Sequence, residues 1–147
     1  MPMLNSIFAD CGIALVIMPS MSNSYFCGVT FPMLNKIVMV LTPRGKEADR
    51  FWFTLFHEIG HVVNGYYKNS NYSEDNEAIC DEFARNALIP SKEYDLFISK
   101  GVFTFNSINS FASSIDIDPG IVVGRLMKDG YVDYSSELRM LKKKIIL

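Results

Sequence analysis

The first third of this chain groups its apolar residues into short runs. Three runs rich in Val, Ile and aromatic residues are separated by residues that favour turns. They span Ile13–Met18, Tyr25–Phe31 and Lys36–Leu41. Because consecutive strands with tight connections usually pair with one another, the pattern predicts an antiparallel three-stranded meander.

From Arg50 onward the apolar spacing changes to the period of a helix. Apolar positions recur every three or four residues, which predicts a helix from Arg50 to a stop at Asn64–Gly65. A polar stretch (residues 66–76) follows it. Further helices are predicted at Pro2–Asp10, from Ser73 or Asp75 to Leu88, at Ser91–Ser99, at Ser107–Ile115, from Pro119 to Lys128–Gly130, and as an amphipathic segment over Ser136–Lys144.

The order of these elements indicates the fold class. One helix, three strands and then mostly helices is typical of an α+β protein. We expect a small antiparallel three-stranded sheet packed on the Arg50 helix, followed by a mostly helical C-terminal half. The chain shows no internal repeat, low-complexity tract or linker, so residues 1–147 are predicted to form a single domain.

Composition narrows the function classes. Hydrophobic residues make up 49% and charged residues 20%, which favours a packed core over disorder. The net charge of −2 argues against non-specific nucleic-acid binding. No apolar run reaches bilayer length, the N-terminus lacks signal-peptide features, and Cys11, Cys27 and Cys80 form no CxxC pair. We therefore expect a cytoplasmic protein without membrane contact.

The stretch FTLFHEIGHVVNG contains the only two histidines of the chain. His57 and His61 are four residues apart, so in a helix their rings lie on one face and can bind one metal ion. Glu58 is placed to reach a water molecule at that metal and take its proton. This H-E-x-x-H pattern predicts a zinc site with Glu58 as general base. The alternative is a helix with two buried histidines.

A zinc site of this kind needs a third protein ligand. The helix predicted from about Asp75 offers Glu77 and Asp81, which are four residues apart on one face. We assign Glu77 as the metal ligand and Asp81 as the acceptor that fixes a histidine tautomer. The alternative is a solvated acidic helix face. Cys80 is a further possible ligand or, as cysteine often is, a small core residue.

With both histidines in the metal motif, neither is available to stabilise an oxyanion. If any group stabilises an oxyanion, it must be a tyrosine, an arginine or backbone amides. Tyr66, Tyr67 and Tyr72 follow the metal helix, although each also fits a role in packing or on the loop surface.

The run FWFTLFHEIGH followed by ExxxDxFAxxxLIP resembles the ImmA/IrrE-type metallopeptidases, a family of zinc-dependent endopeptidases. The resemblance covers most of the chain, and Ile117–Val132 resembles the tail of members fused to Xre-type DNA-binding domains. The departures are Cys80, where the family usually has alanine, and Ile79, where glutamate is common. The resemblance implies a zincin-like fold with zinc ligands at His57, His61 and Glu77, the base at Glu58, and Asp81 at a position where the family has Asn or Asp.

The same resemblance implies a function. We expect hydrolysis of a peptide bond in a regulatory protein of the repressor or antitoxin type, as in members linked to toxin–antitoxin operons and gene regulation. One alternative is a proteolytically silent, zinc-bound regulatory module.

Two further segments have alternative interpretations. Lys36–Leu41 is either an edge strand that pairs with an extended substrate or the apolar middle of the sheet. The segment Asn106–Gly130 carries Arg125 and Lys128, and the tail adds Lys142–Lys144. Together they could contact DNA or a partner protein. The acidic balance of the chain favours a helical packing unit with solvated lysines instead.

Overall fold

The computed structural model of the protein describes residues 2–19, 27–68 and 73–145. The regular elements are α1 (Pro2–Asp10), β1 (Ile13–Ile17), β2 (Gly28–Met33), β3 (Lys36–Leu41), α2 (Ala48–Val63), α3 (Glu74–Leu88), α4 (Ser91–Ser99), α5 (Phe105–Ser114) and α6 (Pro119–Lys128). Short 3-10 turns occur at Arg44–Lys46, Tyr66–Lys68 and Glu137–Leu141. The predicted α+β class is confirmed.

The sheet is mixed, and the prediction of an antiparallel meander is wrong. Its strand order is β1-β3-β2, with β1 parallel and β2 antiparallel to β3. The prediction assumed that neighbours in sequence pair in space. Instead β3 takes the centre, where both of its edges are paired and its side chains at Met39 and Leu41 are fully buried. Tyr25 and Phe26, predicted to begin the second strand, lie outside the described residues.

All of the predicted helices but the last are confirmed, with small shifts at their ends. The metal helix α2 begins two residues earlier than expected, and α5 begins at Phe105 rather than Ser107. The earlier start of α5 follows from a capping box, in which Thr104 and Ser107 satisfy each other's backbone N–H groups.

The last predicted helix, Ser136–Lys144, is wrong except for its first part. Only the 3-10 turn Glu137–Leu141 is helical. Beyond it the chain is extended, and it pairs with the segment before α2 through a bridge between Glu47 and Lys144. Ala48 N donates to Lys143 O across 2.9 Å, and Ile145 N donates to Lys46 O across 2.8 Å. Long-range backbone pairing has therefore replaced local helical bonds.

Two apolar clusters form the core, and one of them holds α2 against the sheet. One lies between the sheet, α1 and the face of α2 that carries Phe51 and Leu55. The other is formed by α4, α5 and α6 with the end of α3.

Helix α3 lies against α2 where Gly60 meets Cys80: a Cβ atom on Gly60 would lie 3.2 Å from Cys80 Cα. The absent side chain lets the two helices approach closely.

Candidate metal centre

The two histidines of α2 direct the same ring nitrogen toward one point. His57 and His61 lie one turn apart, and their Nε2 atoms are 3.2 Å apart. Two nitrogen atoms at ordinary zinc distances from a tetrahedral ion are about 3.3 Å apart. Two imidazole lone pairs held this close repel each other unless a cation or proton lies between them. The geometry therefore suits a shared metal ion.

Glu77 of α3 completes the group. Its Oε2 lies 3.1 Å from His57 Nε2, and its Oε1 lies 3.2 Å from His61 Nε2. Among the described residues these three side chains form a group whose ligand atoms all lie within 4.8 Å of one another. The structure thus brings together the three ligands predicted from the sequence. Two imidazoles and a carboxylate are a donor set that zinc accepts, with one coordination position left open.

Asp81 lies on the opposite side of the His57 ring from His61 and Glu77. Its Oδ1 is 2.8 Å from His57 Nδ1, which fixes Nδ1 as the protonated nitrogen and leaves Nε2 as a ligand. Burial alone would lower the pKa of His57, but the hydrogen bond and charge of Asp81, with the charges of Glu58 and Glu77, raise it. Burial is the main cause of the lowered pKa of His61. The two rings therefore differ in basicity.

Glu58 is the one buried charged side chain among the described residues, with 5% of its surface exposed. Its Oε2 accepts a hydrogen bond of 2.7 Å from Thr30 Oγ1 on β2. Burial raises the pKa of Glu58 above its ordinary value, while Thr30 and the charge of His57 oppose that rise. A carboxylate with a raised pKa beside a metal site suits proton transfer near neutral pH.

Gly28 and Thr30 are site residues that the sequence reasoning missed. Gly28 lies on β2 against Glu58, and a Cβ atom there would lie 2.5 Å from Glu58 Oε1. Only glycine leaves the carboxylate this space. A glycine inside a predicted strand is itself a signal of close approach by another group. Thr30 carried no such signal, because its contact depends on which strand crosses the metal helix.

Two of the tyrosines considered for oxyanion stabilisation and the cysteine considered as a ligand lie outside the metal-binding group. The ring of Tyr66 lies edge-on to His61, with centroids 6.3 Å apart, and both Tyr66 and Tyr67 line the cleft at the metal group. Tyr72 lies outside the described residues. Cys80 is fully buried, and burial raises the pKa of its thiol to about 11, which agrees with a core role and not with a metal-binding thiolate.

The metal group opens into a cleft of about 1300 Å³. Side chains of β2, α2, α3, α6 and the extended C-terminal segment line it.

The interpretation of Lys36–Leu41 as an edge strand is wrong, because β3 is the central strand of the sheet. Among the described strands, the edge next to Glu58 is β2, and Pro32 within it is typical of an edge position.

The basic residues considered for DNA contact are partly inside the molecule. Arg125 lies over the ring of Tyr94, 3.8 Å from its centroid, and donates to the carbonyls of Arg85 and Ile89 at the end of α3. Lys142, of which 9% of the side chain is exposed, pairs with Glu47 and Asp49. Arg125 joins α6 to the end of α3, and Lys142 joins the C-terminal segment to the start of α2, so neither side chain is presented to a partner.

Comparison with known proteins agrees with this site. A family model described as the IrrE N-terminal-like domain, of the peptidase M78 type, matches residues 12–102, which include both histidines, Glu58, Glu77 and Asp81. The match indicates a metallopeptidase. A comparison with curated proteins found no match. Within the described residues, no helix combines the length and the apolar character needed to cross a membrane.

Proposed function

This chain belongs to the IrrE N-terminal-like peptidase family, and we propose that it is a zinc-dependent endopeptidase. The single observation that carries the proposal is the convergence of His57 Nε2, His61 Nε2 and a Glu77 carboxylate oxygen beside the buried carboxylate of Glu58. His57, His61 and Glu77 would hold the ion. When bound, zinc activates a water molecule and polarises a carbonyl group.

Glu58 supplies the proton chemistry of the proposed reaction. As a carboxylate it accepts a proton from the attacking water, and it then donates that proton to the amine that leaves when the peptide bond breaks. Its buried setting keeps bulk water from competing for the proton, and Thr30 holds one oxygen so that the other can face the reacting water. The requirement for a carboxylate here explains why Gly28 leaves it room.

The outer edge of β2 is the proposed substrate platform. Thr42 N donates to Cys27 O, so the backbone groups of the odd-numbered residues of β2 face β3. Because these directions alternate in an antiparallel strand, the groups of Gly28 and Thr30 face away from the sheet, next to Glu58. A substrate paired there as an added strand would place its backbone beside the metal.

The substrate class we propose is a regulatory protein of the repressor or antitoxin type, and the resemblance to ImmA/IrrE-type peptidases supports it. A proteolytically silent, zinc-bound regulator is the second candidate. Glu58 favours the enzyme, because a silent module has no use for a buried carboxylate beside a metal-binding group.

The test pairs the wild type with Glu58→Gln. Both are purified, their bound metal is measured, and each is incubated with repressors or antitoxins encoded at the same locus. Zinc in both proteins and cleavage by the wild type alone support the enzyme. Zinc in both without cleavage supports the regulator, and wild-type protein that binds no metal overturns both.

A further inference from the structure

We infer that the cleft selects substrates with acidic side chains near the scissile bond, which it binds through Arg50, Arg85, Lys128 and Lys144. The inference rests on the proposed peptidase function, and it names a substrate chemistry: an acidic peptide segment.

The first support is the charge of the cleft. The chain carries a net charge of −2, yet seven of its fourteen Lys and Arg side chains line this one cleft. Three of the six acidic residues there belong to the metal centre. The other three are Glu47, Asp49 and Asp129, so seven cations and only three further carboxylates line the cleft. These cations are Arg50, Arg85, Arg125, Lys128, Arg139, Lys142 and Lys144.

The second support is the pairing of these charges. Lys142 and Arg139 pair with Glu47, Lys142 also pairs with Asp49, and Arg125 lies 3.5 Å from Asp129. The remaining four cations form no ion pair within the described part of the chain. The sequence has no acidic side chain among residues 1, 20–26, 69–72 and 146–147, so no side chain there can neutralise them. Their charge is available to a ligand.

Arg85 and Lys128 form the first basic pair, next to the metal centre. Arg85 lies one turn beyond Asp81 on α3, or about 6 Å along the helix. The hydrogen bond with His57 is the main cause of the lowered pKa of Asp81, and the charges of Arg85 and Lys128 contribute to it. Asp81 makes its hydrogen bond to His57 and, among the described residues, no ion pair with Arg85 or Lys128, so both cations can bind an incoming carboxylate.

Arg50 and Lys144 form the second basic pair, at the start of α2. Lys144 Nζ donates to Gly45 O across 3.0 Å, and a Cβ atom on Gly45 would lie 3.9 Å from Arg50 Nη1. Two helical turns separate Arg50 from His57, a rise of about 10 Å. An extended peptide covers that distance in about three residues. We therefore expect acidic side chains two or three residues from the scissile bond.

A peptide fits these observations better than a nucleic acid. The free edge of β2 beside Glu58 offers backbone N–H and C=O groups that an extended peptide can pair with as an added strand, whereas a phosphate backbone cannot. Lys128 and Lys144 lie beyond residues 12–102, the part of the chain that the family model matches. Two of the four cations without an ion pair therefore come from outside the matched region.

The test uses matched peptides and a matched control protein. Peptides with the same apolar centre carry glutamate or glutamine at the second and third positions on each side of the central bond. The full-length, zinc-loaded wild type is compared with the double variant Arg85→Gln/Lys128→Gln. The control is Lys92→Gln/Lys100→Gln, which removes the same charge from exposed positions outside the cleft.

We expect the wild type to cleave the glutamate peptides with the higher kcat/KM, by about threefold for each exposed charge pair and so roughly tenfold for two. The ratio falls toward one in the cleft variant, is kept in the control, and shrinks with added salt. Equal cleavage of both peptides, or the same loss in the control, overturns the inference and leaves the peptidase standing.

A binding measurement separates the two proposals. Glu58→Gln, loaded with zinc, is titrated with the labelled glutamate and glutamine peptides and with single-stranded DNA. If the wild type cleaves no peptide, the peptidase proposal fails, while tighter binding of the glutamate peptide still supports the acidic site. If single-stranded DNA binds more tightly than the glutamate peptide, and this binding is lost in Arg85→Gln/Lys128→Gln, the peptide assignment is overturned.

Discussion

Thr30 on β2 donates a hydrogen bond of 2.7 Å to Glu58 on α2, two residues that are 28 positions apart in sequence. This bond joins the edge of the sheet to the proposed general base. It stabilises the ionised form of Glu58 against the burial that raises its pKa. The sheet therefore takes part in setting the protonation state of the site.

Thr30→Val should shift the pH dependence of cleavage. Removing the hydroxyl takes away a group that lowers the pKa of Glu58, so that pKa rises further. The base works only as a carboxylate, so the acidic limb of kcat/KM moves to higher pH. Thr30→Ser keeps the hydroxyl and should keep the wild-type profile. A Thr30→Val limb at the wild-type pH would contradict this role.

Gly28→Ala should lower activity and spare metal binding. The new Cβ atom would lie 2.5 Å from Glu58 Oε1, so the carboxylate must move, and a displacement of about 1 Å can cost a hundredfold in rate. Metal content and kcat/KM are measured together. In a Glu58→Asp background the shorter side chain leaves room for the methyl group, so the same change should cost less there. Equal losses in both backgrounds would count against the steric explanation.

Asp81→Asn should weaken metal binding by about 10- to 100-fold, because it removes the acceptor that orients and polarises His57. Competition with a zinc chelator measures the affinity. Protons compete with the metal for imidazole, so affinity should also fall as the pH drops through the raised pKa of His57, beginning above the ordinary 6.5. Glu82→Gln, an exposed neighbour, is the control. Unchanged affinity in Asp81→Asn would exclude the assigned role.

Lys142→Met should destabilise the protein by about 3 kcal/mol, since it leaves two largely buried carboxylates without their shared cation. Lys142 Nζ lies 3.0 Å from Glu47 Oε2 and 2.9 Å from Asp49 Oδ2. Urea unfolding measures the loss. Lys143→Met changes the exposed neighbour and should stay within about 0.5 kcal/mol of the wild type. Equal stability of the two variants would remove Lys142 from this role.

The sequence predicted most of the metal group because that chemistry is local. The spacing of His57 and His61 on one helix, and of Glu77 and Asp81 on the next, follows from 3.6 residues per turn. The two helices then have to pack closely, and the absent side chain at Gly60 leaves room for Cys80 of α3.

What the sequence did not reveal depends on contacts between distant segments. The central position of β3 comes from its pairing with β1 on one side and β2 on the other, and no local pattern distinguishes a central from an edge strand here, since β1 and β3 are similarly apolar. Thr30 reaches Glu58 only because β2 lies over α2. The basic cleft likewise appears only when Arg85 and Lys128, 43 positions apart by their numbers, approach Asp81 from two helices.

The bridge between Glu47 and Lys144 has a consequence for synthesis of the protein on the ribosome. The growing chain contains His57, His61, Glu58 and Glu77 well before the segment that pairs with the start of their helix. The side chains that would hold the metal are thus present while that end of α2 still lacks its backbone partners and Lys142. A complete cleft is assembled only after translation has passed Lys144, so the cleft forms later than the three side chains that would hold the metal.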